Sequence, residues 1–253
     1  MKIFRSESFV DYSTYTFNYA NYCLKEDLSE IPEIYDKGFL PYSNDTSLSK
    51  EIYYLARSLR VDLDVFKPSS ENRRVDRKIQ ELNPVFRLIE KKDFDLKDQE
   101  FLDYCHRFTE QRFSESISIE RLQYIFDAPS FSHLFEFSID NKICGYVICI
   151  IEGDMLHYWF AFFDLNRPEF GLGKWMMYSV IHWAQKQGLK HVYLGTCYGT
   201  KSLYKVRDFK GLSFFDGNRW NDNIKLLKQK CKSDQEFEKD EFKQDTDLFL
   251  ERL

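Results

Sequence analysis

An α+β fold is what this sequence predicts: a mixed, mostly antiparallel central sheet flanked by helices, with a small α/β unit on its N-terminal side. Three observations carry that expectation. His133 to Ile139, Ile143 to Ile151 and Met155 to Asp164 each read as a strand, joined by the turn signals Asp140-Asn141-Lys142 and Glu152-Gly153-Asp154, which makes an antiparallel meander. A loop from Leu165 to Gly173, broken by Pro168, Gly171 and Gly173, opens a helix to Gln187 with Met176, Met177, Val180, Ile181 and Ala184 inward. Earlier in the chain, Leu59, Val61, Leu63 and Val65 alternate with Arg60, Asp62 and Asp64, the period of a half-buried strand.

The other elements follow in order. Tyr15, Phe17 and Tyr19 alternate as a strand, and residues 27–37 read as a short helix closed by Gly38. Pro68, Ser69 and Ser70 stop the 59–65 strand and offer a hydroxyl cap to a helix whose Val75, Ile79 and Leu82 face a core. Asn83-Pro84 breaks the chain and a linker leads to a helix over 97–113, with Phe101, Leu102, Cys105 and Phe108 apolar, and then to a shorter one over 118–126 ended by Pro129. After the long helix, His191 to Gly195 is a short buried strand, Ser202 to Asp208 a helix and Leu212 to Phe215 a last strand. The expected units are 1–92, 93–231 and an acidic tail, 232–253, read as a weakly packed or frayed terminal helix with no chemistry assigned to it.

No apolar run approaches membrane-spanning length and the first residues lack the apolar stretch of a secretory signal, so a cytoplasmic location with no membrane partner is expected. Six cysteines are scattered without a Cys-x-x-Cys pair, which argues for reduced thiols and against a locally built metal site. The net charge of −5 conceals a segregation: residues 232–253 hold eight acids and four bases, whereas residues 50–92 hold eleven bases and seven acids. Such a field steers an anionic ligand to one place.

Within that basic stretch, Arg57 and Arg60 lie on or near the strand, and Arg73, Arg74, Arg77 and Lys78 share the helix arc opposite the core. The i,i+4 pairs Arg73 with Arg77 and Arg74 with Lys78 repel by a few tenths of a kcal/mol, a cost usually tolerated where something anionic binds. The bland alternative is a solvated face partly neutralised by Glu71, Asp76 and Glu81. Gly171-Leu172-Gly173-Lys174, feeding a helix N-terminus, would expose backbone N–H groups to a pyrophosphate or an RNA phosphate.

The run RPEFGLGKWMMYSVIHWAQKQGLKHVYL at 167–194, with SLYKVRDFKGLSFF at 202–215, resembles the GNAT acyltransferase fold. That resemblance places Tyr204 where the fold often holds a tyrosine protonating the leaving group, a role a phenol of pKa about 10 can fill at neutral pH. Base candidates are Glu152, Asp154, His157 and Asp164, on or beside the central strands. Pro168, three residues before Gly171, departs from the common acetyltransferase pattern of Gln or Arg.

NYANYC at 18–23, EIYDKGFLPYS at 33–43 and the stretch from Tyr54 to Lys78 resemble the N-terminal region of the arginyl- or leucyl-tRNA–protein transferases, which also end in a GNAT-like half. VYLGTCYGTKSLYK, 192–205, is similar to a second block of that family and implies a substrate pocket with Tyr193, Lys201 and Lys205. The reaction implied is transfer of an amino acid, Arg or Leu, from aminoacyl-tRNA to the α-amine of a protein N-terminus, typically acidic or oxidised cysteine. It needs no cofactor and makes aminoacyl-tRNA the co-substrate; Arg57, Arg60, Arg73, Arg74, Arg77 and Lys78 would hold tRNA phosphates, with no role for DNA. This chain departs where the family has cysteines: Ala20 stands opposite Cys23, and Lys50 and Glu51 replace later ones, so no metal is expected. Two alternatives accompany this reading, an N-acyltransferase using acetyl-CoA or another acyl-CoA on a small amine or peptide, and a non-catalytic RNA- or peptide-binding descendant.

Overall fold

The computed structural model describes residues 1–11, 16–43, 46–112 and 116–237. Tyr15 of the expected first strand and the tail beyond 237 lie outside them. A four-stranded sheet comes first, built from β1 (Lys2–Asp11), β2 (Thr16–Leu24), β3 (Phe39–Pro41) and β4 (Ile52–Leu55) in the order β1-β2-β4-β3, with α1 (Ile31–Asp36) between β2 and β3. Gly38, at φ +83°, takes the left-handed conformation that ends α1.

The remaining strands form one eight-stranded sheet: β5 (Ser58–Asp62), β6 (Pro84–Glu90), β7 (His133–Ile139), β8 (Lys142–Glu152), β9 (Met155–Phe163), β10 (His191–Thr196), β11 (Leu212–Phe215) and β12 (Trp220–Asn221). Its order is β12-β11-β5-β10-β9-β8-β7-β6, and β9 with β10 is the parallel pair in an otherwise antiparallel array. The helices are α2 (Ser70–Gln80), α3 (Gln99–Arg112), α4 (Ile119–Asp127), α5 (Leu172–Lys186) and α6 (Ile224–Phe237). Strand alternation sorts the core into two faces. Leu156 and Tyr158 of β9 pack with α2, α5 and α6, while Met155 of β9 and Tyr193 of β10 pack with α1 and the small sheet.

The meander, the long helix and the α+β class are as the sequence indicated, and Ser69 caps α2 through a reciprocal bond with Asn72. Several expectations need correction. The 59–65 strand stops at Asp62, because the Asp62 carboxylate accepts the Asp64 N–H at 3.0 Å and turns the chain, leaving Val65 54% exposed. The supposed linker after Asn83-Pro84 is β6, paired along β7 as an edge strand, the place where a proline that lacks an N–H is tolerated. Ser202–Asp208 is not an α-helix but a 3-10 turn over Thr200–Lys205, and Asp208 is drawn away to Lys174 at 3.1 Å. A division at residue 92 is not where the strand pairing draws one, since β5 and β6 belong to the large sheet. Nor is 231/232 a boundary: α6 runs through it, with Leu227 and Cys231 fully buried.

Candidate active site

β9 and β10 are hydrogen-bonded only at their start. Their register runs His191 to Met155, Val192 to Leu156 and Tyr193 to His157 and then ends, although β10 continues to Thr196 and β9 to Phe163. The two strands part beyond His157 and leave a cleft through the sheet. A shift in the β10–β5 register between Tyr193 and Thr196, with Gly195 at φ +75°, accompanies the parting.

Polar groups converge there. His157 is 2% exposed; its Nδ1 lies 2.8 Å from the Tyr35 hydroxyl of α1, and its buried Nε2 has no partner among the described residues. Nε2 and the Lys205 Nζ lie 3.8 and 3.7 Å from the point a Cβ on Gly195 would occupy, so the glycine keeps open the space they border. Lys205 Nζ donates to the Thr196 carbonyl at 3.0 Å. Burial, and then the nearby Lys205 cation, hold His157 down to about 3, and burial lowers Lys205 to about 8, against a small opposing effect of Cys197. Around neutral pH, therefore, the imidazole is uncharged and the amine is within reach of both its forms. Burial raises Tyr193 to about 12 despite Arg60 nearby, so its phenol stays protonated.

Two residues of this cleft carry no sequence signal of their own. Tyr35 meets His157 across 122 positions of sequence, and Tyr158, the first β9 residue past the last pair, buries an unpartnered hydroxyl on the other face. Tyr204 sits on the 3-10 turn at the rim, 49% exposed, with its ring 5.9 Å from Lys205 Nζ, and Lys201 is exposed on the same turn. The other base candidates are elsewhere. Glu152 and Asp154 flank the β8–β9 turn just before Met155, on the side of His157 where β9 and β10 are still paired, and Asp154 pairs with Lys190 at 2.6 Å; Asp164 closes a turn by accepting the Asn166 N–H at 2.9 Å.

The glycine loop follows the end of β9 that has parted from β10, yet its parts are committed. Gly171 takes a left-handed conformation, φ +63°, as the N-cap of α5, with Leu172 buried behind it. A Cβ at Gly173 would come within 2.7 Å of the Phe163 ring, so this glycine serves packing. Lys174 pairs with Glu71 at 3.0 Å and Asp208 at 3.1 Å, which neutralises the charge expected to meet a donor phosphate.

The six cations of the basic stretch divide. Arg57, 5% exposed, donates to both oxygens of Asp234 on α6 at 2.7 and 3.2 Å, and lies 4.7 Å from the Tyr198 ring. Arg60 lies over Trp220 at 4.1 Å and pairs with Asp36 at 2.7 Å. On α2, all four cations are exposed. Arg74 pairs with Glu71, whereas Arg73 donates to the Pro68 carbonyl and Lys78 to the Glu169 carbonyl, bonds that leave their charge uncancelled. Among the described residues Arg73, Arg77 and Lys78 form no ion pair. Lys78 also sits 5.7 Å from the Phe170 ring, which places this face beside the glycine loop.

Among the described residues no group of three His, Cys, Asp or Glu side chains converges on a metal position, and no helix is long and apolar enough to cross a membrane. Where the family resemblance would put cysteines, Cys23 is buried in the small sheet and Glu51 pairs with Lys25.

A parted parallel strand pair, with a helix following the first strand and a polar cluster in the gap, defines an acyltransferase fold. The acetyltransferase (GNAT) domain family matches residues 69–210, more than half of the chain, and the chain belongs to that family. Among curated relatives, the aspartate/glutamate leucyltransferase of Stenotrophomonas maltophilia is 32% identical over 83 residues, 32% of this chain and 33% of its own length. That of Xylella fastidiosa is 26% identical over 176 residues, 64% of this chain and 66% of its own. The chain thus spans a third of the length of the first of these relatives and about two thirds of the second. Among solved structures, L-PGS from Bacillus licheniformis shares 14% identity at a TM-score of 0.43, covering 66% of this chain and 51% of that one.

Proposed function

We propose that this protein transfers a leucyl-class amino acid from aminoacyl-tRNA to the N-terminal α-amine of an acceptor protein or peptide. The observation that carries the reading is the pairing of buried His157 with half-buried Lys205 at the strand parting, in a chain similar to curated aspartate/glutamate leucyltransferases. An aminoacyl ester is already activated, so what the protein must supply is positioning, an oxyanion donor and a route for protons.

In this reading the tRNA backbone lies along Arg73, Arg77 and Lys78, and its acceptor end enters the cleft past the Gly171 loop. The neutral α-amine attacks the ester carbonyl carbon; the new C–N bond forms, and collapse of the tetrahedral intermediate breaks the bond to the ribose oxygen. Lys205, as the free amine, takes the proton from the attacking nitrogen, and that proton goes on to the leaving ribose oxygen. With the Tyr35 hydroxyl donating to Nδ1, the His157 ring proton sits on Nε2 and points at the developing oxyanion. Tyr204, at the rim, faces the departing ribose.

Incubating the protein with radiolabelled aminoacyl-tRNAs and peptides that differ in their N-terminal residue tests this. Label on a peptide α-amine is the expected result. No transfer from any pairing would contradict the reading.

A further inference from the structure

A cavity of about 130 Å³ opens beside the cleft, between the 41–52 segment, the C-terminal end of α4 and Trp159. We propose that it is the specificity pocket for the donor amino acid's side chain, and that it accepts an apolar side chain of about leucine size. The proposal rests on the transfer reading given above and deepens it.

Position is the first argument. Trp159 follows His157 by two residues on β9 and so projects from the same face of the sheet; the two rings stack with centroids 6.2 Å apart and planes 28° apart. The pocket wall is thus one ring away from the orphaned Nε2, where the ester carbonyl would sit. Size is the second: an apolar cavity of about 150 Å³ holds a benzene ring, so this one holds an isobutyl group and not a much larger one.

The third argument is chemistry. Pro41, Leu48, Ile52, Tyr124, Ala128 and Trp159 supply its apolar wall, beside the hydroxyls of Ser43 and Ser49. Its one partly buried charge, Glu51, is occupied: it pairs with Lys25 and accepts from the Ser130 N–H at 2.9 Å and the Ser130 hydroxyl at 2.5 Å. Lys50 and Asp127, of opposite sign, stand exposed at the rim. Inside the pocket the carboxylate is already engaged and Asp127 stands only at the rim, so an apolar side chain fits the interior better than a guanidinium. The walls are also fixed in place. Arg121 donates to the Ser43 hydroxyl at 3.4 Å and the Tyr124 hydroxyl to the Leu48 carbonyl at 3.5 Å, tying Ser43 and Leu48 to α4.

The test measures kcat/KM of the full chain with leucyl-, alanyl- and arginyl-tRNA and a single peptide acceptor. A pocket gains about 10- to 200-fold per methylene, so leucyl-tRNA should exceed alanyl-tRNA by at least about 100-fold. Ala128→Phe, which fills the cavity, should cut the leucyl rate at least about tenfold and leave the alanyl rate in place. Ile52→Ala, which enlarges it, should raise transfer from phenylalanyl-tRNA and keeps the test decisive if the filled variant misfolds. Equal rates for leucyl and alanyl donors would overturn the assignment. So would an Ala128→Phe effect of equal size on the leucyl and alanyl donors. If wild type transfers from none of the donors, the broader reading fails and the pocket with it, a result distinct from transfer without side-chain preference.

Discussion

Arg57, just before β5, Arg60 within it and the cations of α2 lie within 22 positions of one another in one basic run, yet the fold uses them in opposite ways. Arg57 and Arg60 are held inside: one is bidentate with Asp234 of α6, the other lies on Trp220 and is paired with Asp36. Arg73, Arg77 and Lys78 remain exposed, with no carboxylate partner among the described residues. A basic stretch in sequence is therefore two things in structure, a set of internal fasteners and a surface patch. What separates them is which face of the local element meets the rest of the chain. Lys205 forms a third case, a half-buried cation whose Nζ donates to the Thr196 carbonyl and which burial holds down to about 8.

The largest effect should come from that third case. Lys205→Gln removes the proposed proton acceptor and should lower kcat about 10²- to 10⁴-fold with little change in tRNA affinity, read by single-turnover transfer. Among the fasteners, Asp234→Ala strands a buried guanidinium and should cost about 3–5 kcal/mol in urea unfolding, whereas a cost below about 1 kcal/mol would put Arg57 with the surface charges. On the patch, Arg73→Glu with Arg77→Glu should leave stability within about 0.5 kcal/mol but reduce the slope of log K against log salt for charged tRNA by about 2. An unchanged slope would remove α2 from the RNA interface.

The smallest effect concerns pH and stability. His157 titrates near 3 in the fold against 6.5 ordinarily, so between those values the unfolded chain binds the extra proton and the fold loses stability as pH falls. By pH 5 that loss amounts to about 2 kcal/mol, and below pH 3 it grows no further. His157→Gln should abolish this component, seen as the difference between unfolding free energies at pH 7 and pH 5. An identical difference in the variant would mean that the imidazole is not the buried neutral group described.

Local pattern made much of this legible. The Ser69 cap and the Val75/Ile79 spacing gave α2, alternation and turn residues gave β7 to β9, and Gly171 and Gly188 bracketed α5. What failed depends on partners distant in sequence. β6 carries no clean alternation, since as an edge strand it exposes both Val85 and Phe86, and its proline looked like a break. Asp234 was assigned to a tail without chemistry, because nothing near it in sequence shows that Arg57 lies 177 positions away in space beside it. The site was half legible: His157 and Lys205 were among the candidates, but Glu152, Asp154 and Asp164, chosen for nearness to the same strands, fall at turns. Tyr35 and Tyr158 among so many tyrosines gave no signal at all.

The central claim is that aminoacyl transfer occurs at the β9–β10 parting, with Lys205 as the proton acceptor. Its most direct test is the rate of leucyl transfer from tRNA to a peptide between pH 5.5 and 7, in wild type and in Lys205→Gln. An acceptor α-amine, of pKa about 7.7–8.0, and Lys205, at about 8, must both be deprotonated in wild type, so log rate should rise with pH at a slope near about 2. The variant should be slower and its slope should fall to about 1, with only the amine left to titrate. Equal rates and equal slopes in the two proteins would contradict the account.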